Sequence, residues 1–190
     1  GLAGLVIAAT TSWWLVLLGA ICIVAGWGYT GGPVPYGYLG LGEVFVFVFF
    51  GLVATMGTTF AIVQTVTLES AIASVAVGSL ACALLVVNNL RDIPGDSRAS
   101  KRTLAVRLGD CTTRGIYVAL IVLAAVAMVL ASFQRPFALA GVTGLIVVFP
   151  AIRFVRHGAR GRELIPVLEA TGKAQLILGS YLAVGLAMGG

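Results

Sequence analysis

Long continuous apolar runs separated by short polar connections set the pattern of this chain. After an apolar stub at residues 2–9, runs occupy 13–28, 43–63, 70–87, 115–133, 136–154 and roughly 167–188. Their lengths sit near the ~17–25 residues that a membrane-spanning helix needs. The runs are unbroken rather than alternating, which argues for helices and against barrel strands, because a lone helix satisfies its own backbone polar groups in lipid. The pattern predicts an all-α polytopic transmembrane helix bundle. It has six full spans and a partial first one, a single membrane-embedded domain over residues 1–190. The stub is too short to cross a bilayer and reads as the end of a span, so the chain is expected to lack an N-terminal portion of its domain.

Composition agrees with the pattern. Of 190 residues, 59% are hydrophobic and 10% charged, and the mean hydropathy is +1.07. A soluble domain carries about a quarter charged residues, so lipid must serve as part of the solvent. The net charge of +5 does not point to nucleic acid, because the basic residues lie in short connections beside apolar runs. Arg91, Arg98, Lys101, Arg102, Arg107 and Arg114 sit in the third connection, and Arg153, Arg156, Arg160 and Arg162 in the fifth. The second has no Lys or Arg and the fourth has Arg135 alone. Basic loops stay on the cytoplasmic side, so the odd-numbered connections are expected there, in a bacterial inner membrane. Cys22, Cys82 and Cys111 form no CxxC pair, and His157 has no neighbouring ligand, so neither a disulfide framework nor a histidine metal site follows.

The candidate chemistry lies after the third run, in Asn88-Asn89-Leu90-Arg91-Asp92-Ile93-Pro94-Gly95-Asp96. Asn88 and Asp92, four apart, share a helix face. Pro94 and Gly95 are expected to break that helix, letting Asp96 swing back to the same point. Two carboxylates and an amide oxygen suit Mg²⁺, which takes few protein ligands and leaves room for phosphate oxygens. Arg91, Lys101 and Arg102 offer donors for a diphosphate. The bland alternative is a solvated charged loop. Against it, unpaired amides on an apolar helix are costly.

That stretch, continued by Lys101-Arg102-Thr103-Leu104-Ala105-Val106-Arg107-Leu108-Gly109, resembles the second aspartate-rich motif of the intramembrane aromatic prenyltransferases, the UbiA superfamily. Tyr29-Thr30-Gly31-Gly32-Pro33 and Gly40-Leu41-Gly42-Glu43 resemble its menaquinone branch. The resemblance implies a nine-helix bundle that transfers a polyprenyl group from polyprenyl diphosphate to 1,4-dihydroxy-2-naphthoate, with loss of CO₂. It implies Mg²⁺ held by Asp92 and Asp96 with Asn88 or Asn89 assisting, and a diphosphate held by Arg91 and Lys101, with Asn89 and Arg102 as further candidates. The family's first aspartate-rich motif is absent here. That agrees with a chain lacking the N-terminal third of its domain, and such a chain is expected to be inactive alone.

Other residues carry weaker signals. Glu43 opens an apolar helix, and with Tyr29 and Gln175 it is a candidate for holding the aromatic acceptor. Glu43 equally suits a helix start, where the dipole favours acid. Residues 100–108 are compatible with a short interfacial helix, with Gly109 as its C-cap. Phe45, Phe47, Phe49 and Phe50 face lipid, core or a groove for the polyprenyl tail. Gly26-Trp27-Gly28-Tyr29-Thr30-Gly31 matches GxGxxG without a preceding strand, so dinucleotide binding is rejected. Gly185 and Gly189 form a GxxxG pair. Competing function classes are a prenyltransferase with a ubiquinone-type acceptor, a membrane transporter, and a fragment with no activity. No repeated half of the kind transporters carry is visible.

Overall fold

The computed structural model describes residues 1–188, and the side chains of 185–188 lie outside the description, as does Gly189 of the GxxxG pair. Helices form where the apolar runs predict them. They are α1 Leu2–Thr10, α2 Trp14–Thr30, α3 Gly42–Val63, α4 Leu68–Arg98, α5 Leu104–Ser132, α6 Pro136–Arg156 and α7 Ile165–Met188. Helices α3 to α6 are each long and apolar enough to cross a membrane. No strand forms among the described residues, and the chain is an all-α integral membrane protein.

The bundle is organised on α4. Two-thirds of its apolar stretch (67%) is buried, against 6% for α3, and it packs against α3, α5 and α7. Small residues on α4, among them Ala73, Ala76, Gly78, Ser79 and Ala83, let neighbours approach closely. At Gly78 the backbone of α4 meets Gly51 of α3 with no room for a side chain on either. Around Gly51, residues Phe47–Val53 widen into a π-helical stretch, which re-aims the aromatic side chains of α3.

Two expected boundaries shift. Pro94 does not break the fourth helix, which continues to Arg98. Beyond the proline the last turn closes through other donors: Arg98 Nε to the Pro94 carbonyl at 3.1 Å, Ala99 N–H to Gly95 at 3.0 Å, and Lys101 N–H to Asp96 at 2.9 Å. These bonds satisfy the carbonyls of the last turn; the donor that proline lacks would have served the Leu90 carbonyl, one turn earlier. The chain reverses only at Ser100, in the left-handed region at φ 57°. The fifth helix begins at Leu104 rather than near 115, with the Thr103 hydroxyl accepting from Val106 N–H. Gly109, at φ 78°, separates a short first segment from the long one. The interfacial helix and glycine stop are therefore present, but they run directly into the next span.

Polar pairs pin the helix ends where the arginines cluster. The Arg114 guanidinium reaches the Val155 and Ala159 carbonyls at the end of α6. It also holds Asp110 bidentately, at 2.6 and 2.8 Å. Inside the bundle the Tyr117 hydroxyl lies 2.9 Å from Thr171 Oγ1. Thr171 spends its own proton on Val167, so Tyr117 is the donor.

Candidate functional site

Because α4 continues through Pro94, Asn88, Asn89, Asp92 and Asp96 fall within about 100° of arc on one helical face, each residue advancing about 100°. The carboxylates converge by helical periodicity, not by a turn folding Asp96 back. These four line a polar pocket of about 190 Å³, closed from the far side by Tyr29, Tyr38, Lys101 and Thr103.

The groups in and around it are already partnered. Arg91 Nε lies 2.7 Å from Asp92 Oδ1, and its Nη2 is 2.8 Å from both Asp92 Oδ2 and Asn88 Oδ1. Asp96 Oδ1 faces Lys101 Nζ at 3.9 Å. Lys101 Nζ also sits 4.7 Å from the centroid of the Tyr38 ring, within cation–π range. Asn89 Nδ2 donates to Glu43 Oε1 at 2.9 Å, in a buried contact between α4 and α3.

Two connections form the cover. The short 3₁₀ turn Tyr36–Leu39 is joined to the segment after α4, where Arg102 N–H donates to the Tyr38 carbonyl at 2.9 Å. Gly40 then takes φ 77°, with the Arg102 carbonyl and the Arg107 side chain where a Cβ would point, so no other residue fits without strain. The Tyr36 hydroxyl donates to the Ala25 carbonyl of α2, and burial pushes its phenol above the ordinary value. The Tyr36 ring stacks on Phe45 with centroids 3.9 Å apart.

Two apolar cavities adjoin the pocket. One, of about 490 Å³, lies between α2 and α3 and includes Cys22, Gly26, Phe45, Phe49 and Tyr29, which it shares with the pocket. The other, of about 500 Å³, lies among α3, α4 and α7 and includes Leu85, Leu168, Gln175 and Asn88, likewise shared. Val46 and Phe50 form part of both walls. Of the aromatic run, Phe45, Phe49 and Phe50 border cavities, while Phe47 packs toward Gly78.

The structure thus brings Tyr29, Asn88, Asn89, Asp92, Asp96 and Lys101 to one pocket, with Arg91 tied to its rim. The Arg102 side chain is exposed and only its backbone serves the site. Gln175 borders the neighbouring cavity, and Glu43 meets the pocket only through Asn89. Sequence reading missed Tyr38 and Thr103. No local spacing links Tyr38 to Lys101, and a tyrosine in a Gly/Pro-rich connection looks like linker.

Among the described residues no three His, Cys, Asp or Glu side chains group as a metal cage. Two carboxylates and two amides beside a cavity still fit Mg²⁺, which is commonly held by one or two carboxylates plus substrate phosphates. The fold thus sets a polar pocket at a helix end, sharing lining residues with two apolar cavities, inside a membrane bundle. The UbiA prenyltransferase family matches residues 1–165, and the chain belongs to that family. It is 48% identical over 188 residues to a 1,4-dihydroxy-2-naphthoate octaprenyltransferase of Mycobacterium tuberculosis, and 43% identical to one of Mycobacterium leprae. Each alignment covers 99% of this chain and 64% of the relative. The namesake in Escherichia coli is 33% identical over 174 residues, covering 90% of this chain and 56% of that protein. The chain therefore spans less than two-thirds of the length of these relatives. No solved structure matches significantly.

Proposed function

We propose that the protein to which this chain belongs transfers a polyprenyl group from a polyprenyl diphosphate to 1,4-dihydroxy-2-naphthoate. The carbon–oxygen bond to the diphosphate breaks, its electron pair leaving with the diphosphate. The naphthoate ring carbon bearing the carboxylate attacks the allylic carbon. The carboxyl carbon then departs as CO₂, leaving its electrons to restore the ring and give demethylmenaquinol, as menaquinone biosynthesis requires. The observation that carries this reading is the α4 face of Asn88, Asp92 and Asp96 beside Lys101, in a pocket that shares walls with two apolar cavities. The names of the relatives support the acceptor.

In this reading Asp92, Asp96 and Asn88 hold Mg²⁺, which when bound would stabilise negative charge on the leaving diphosphate. Lys101 and Arg91 add donors to that diphosphate. Arg91 spans Asp92 and Asn88 in this structure, so it turns from the carboxylate to the phosphates as the site fills. The apolar cavities exclude water and take the polyprenyl chain and the aromatic ring, with Tyr29 and Gln175 bordering the ring. Residues 1–190 would belong to one membrane-embedded domain, and as the chain spans 64% of the length of its mycobacterial relatives, the chain alone would be inactive. In this reading the protein lies in the bacterial inner membrane with the pocket on the cytoplasmic side, which the basic connections favour. The test is transfer of radiolabel from polyprenyl diphosphate to dihydroxynaphthoate by the full-length parent. Asp92→Asn or Asp96→Asn should cut turnover at least about a hundredfold, as loss of a metal ligand does, and unchanged turnover would overturn the assignment.

A further inference from the structure

Glu43 opens α3 and is only 8% exposed. Removing a carboxylate from water costs several kcal/mol unless hydrogen bonds compensate. Its Oε1 accepts from Asn89 Nδ2 at 2.9 Å, while its Oε2 is enclosed and has no partner. A side chain kept there at such cost has its one side-chain hydrogen bond to a residue of the pocket.

The chemistry of that bond sets a direction. A carboxylate only accepts, and an asparagine amide offers a donor at one end and an acceptor at the other. Facing Glu43, Asn89 must present Nδ2, which leaves Oδ1 at its opposite end. Asn89 Oδ1 makes no hydrogen bond within the fold. It is also not among the enclosed unpartnered atoms, which in the described residues are Glu43 Oε2 and Ser79 Oγ. It therefore opens onto the pocket that Asn89 lines. Of the neighbouring acceptors, Arg91 takes Asn88 Oδ1 and both oxygens of Asp92, while Asp96 has only the Lys101 ammonium, 3.9 Å from its Oδ1. Asn89 Oδ1 and the Asp96 carboxylate are thus the acceptors on this face that make no hydrogen bond, and of the two only the Asn89 amide is oriented by a partner behind it.

We propose that Glu43 is a positioning residue that locks the Asn89 amide with its oxygen toward the pocket, making Asn89 an acceptor for a divalent cation. The resemblance leaves Asn89 open to either the metal or the diphosphate; the bond from Glu43 selects the metal, and the proposal rests on the reading of the pocket as a metal–diphosphate site. The whole α4 face then presents oxygen, and donors to the phosphates come from Lys101 and Arg91. A diphosphate without its cation would meet like charge.

The experiment is a Mn²⁺ titration of the 190-residue chain in lipid nanodiscs, read by the electron paramagnetic resonance of free Mn²⁺, with no turnover required. Loss of an outer partner of a metal ligand weakens metal binding about 10–100-fold. Glu43→Leu should therefore weaken Mn²⁺ about tenfold. Glu43→Gln, whose carbonyl can still accept from Nδ2, should restore affinity to within about twofold. Asn89→Ala should be as weak as Glu43→Leu, and the double variant no weaker than Asn89→Ala alone, because both act through one oxygen. A purely structural Glu43 would give additive losses and no rescue, and either result overturns the proposal. Should Glu43→Leu fail to fold, Asn89→Ala and Glu43→Gln still decide. Asp96→Asn separates the two levels. If Asp96→Asn binds Mn²⁺ like wild type, the reading of the pocket falls and the proposal with it. If it binds weakly while Asn89→Ala is unchanged, the proposal alone falls.

Discussion

Replacing Gly51 by alanine tests the packing that sets α3 against α4 and thereby shapes both cavities. A Cβ at position 51 would stand 2.6 Å from Gly78 Cα, 2.9 Å from the Ser74 carbonyl oxygen and 3.2 Å from Gly78 N. All three are backbone atoms, so no side chain can rotate away and a helix must move. Overpacking of this kind costs about 1–3 kcal/mol. The helical preference of alanine over glycine offsets about 0.8–1.0 kcal/mol of it. The net loss should be about 0–2 kcal/mol, or a melting temperature lower by up to about 8 °C at this chain length. Gly57→Ala, on the same helix, is the control, because its added methyl meets only Leu18 Cδ2 at 3.8 Å. That variant should melt at or above wild type. The assay is thermal unfolding in detergent, reported by dye labelling of the buried Cys82 after Cys22 and Cys111 are replaced. Gly51→Ala melting as high as Gly57→Ala would refute the close approach.

Three further outcomes follow from named contacts. Arg114→Met should destabilise by about 2–4 kcal/mol, toward the lower part of the range for a broken buried pair because the Asp110 side chain is 41% exposed. Arg114→Lys should not rescue it, as it lacks the planar fork, and denaturant titration in micelles checks both. Tyr38→Ala should free Lys101 and weaken diphosphate binding by about 0.5–1 kcal/mol, the worth of an exposed cation–π contact, whereas Tyr38→Phe should leave it unchanged in isothermal titration with Mg²⁺ and pyrophosphate. In a cysteine-free background, single cysteines at Ser97 and Arg160 should label from one side of the membrane and one at Thr65 from the other. Ser97 and Thr65 labelling together would contradict the topology.

Much of the bundle was legible because a helix in lipid needs only a long apolar run, and the runs were unbroken. The boundaries slipped where polar residues belong to helices. Asp110 and Arg114 look like loop in one dimension, yet they pair with each other and cap the end of α6. Pro94 looked like a breaker, yet the helix runs on to Arg98 and its last turn closes beyond the proline. The π-helical stretch at Phe47–Val53 has no local signature, since it arises where α3 lies over Gly78. Within the site, Asn88 and Asp92 were readable as helical spacing, whereas Asp96 was expected to return by a turn and joins the face because the helix continues. The bonds from Asn89 to Glu43 and from Arg102 to Tyr38 join distant connections and exist only after folding.

The central claim is that the α4 face of Asn88, Asp92 and Asp96 holds a metal–diphosphate headgroup while the adjoining cavities take its hydrocarbon. Binding of a radiolabelled, non-cleavable farnesyl thiodiphosphate to the chain in nanodiscs measures this directly, with Mg²⁺ present and after its removal by chelator. Binding should require Mg²⁺, and Asp92→Asn and Asp96→Asn should each weaken it at least about tenfold. Inorganic pyrophosphate should compete only partly, because it leaves the cavities empty. Binding that persists without Mg²⁺ and is indifferent to both aspartates would contradict the account.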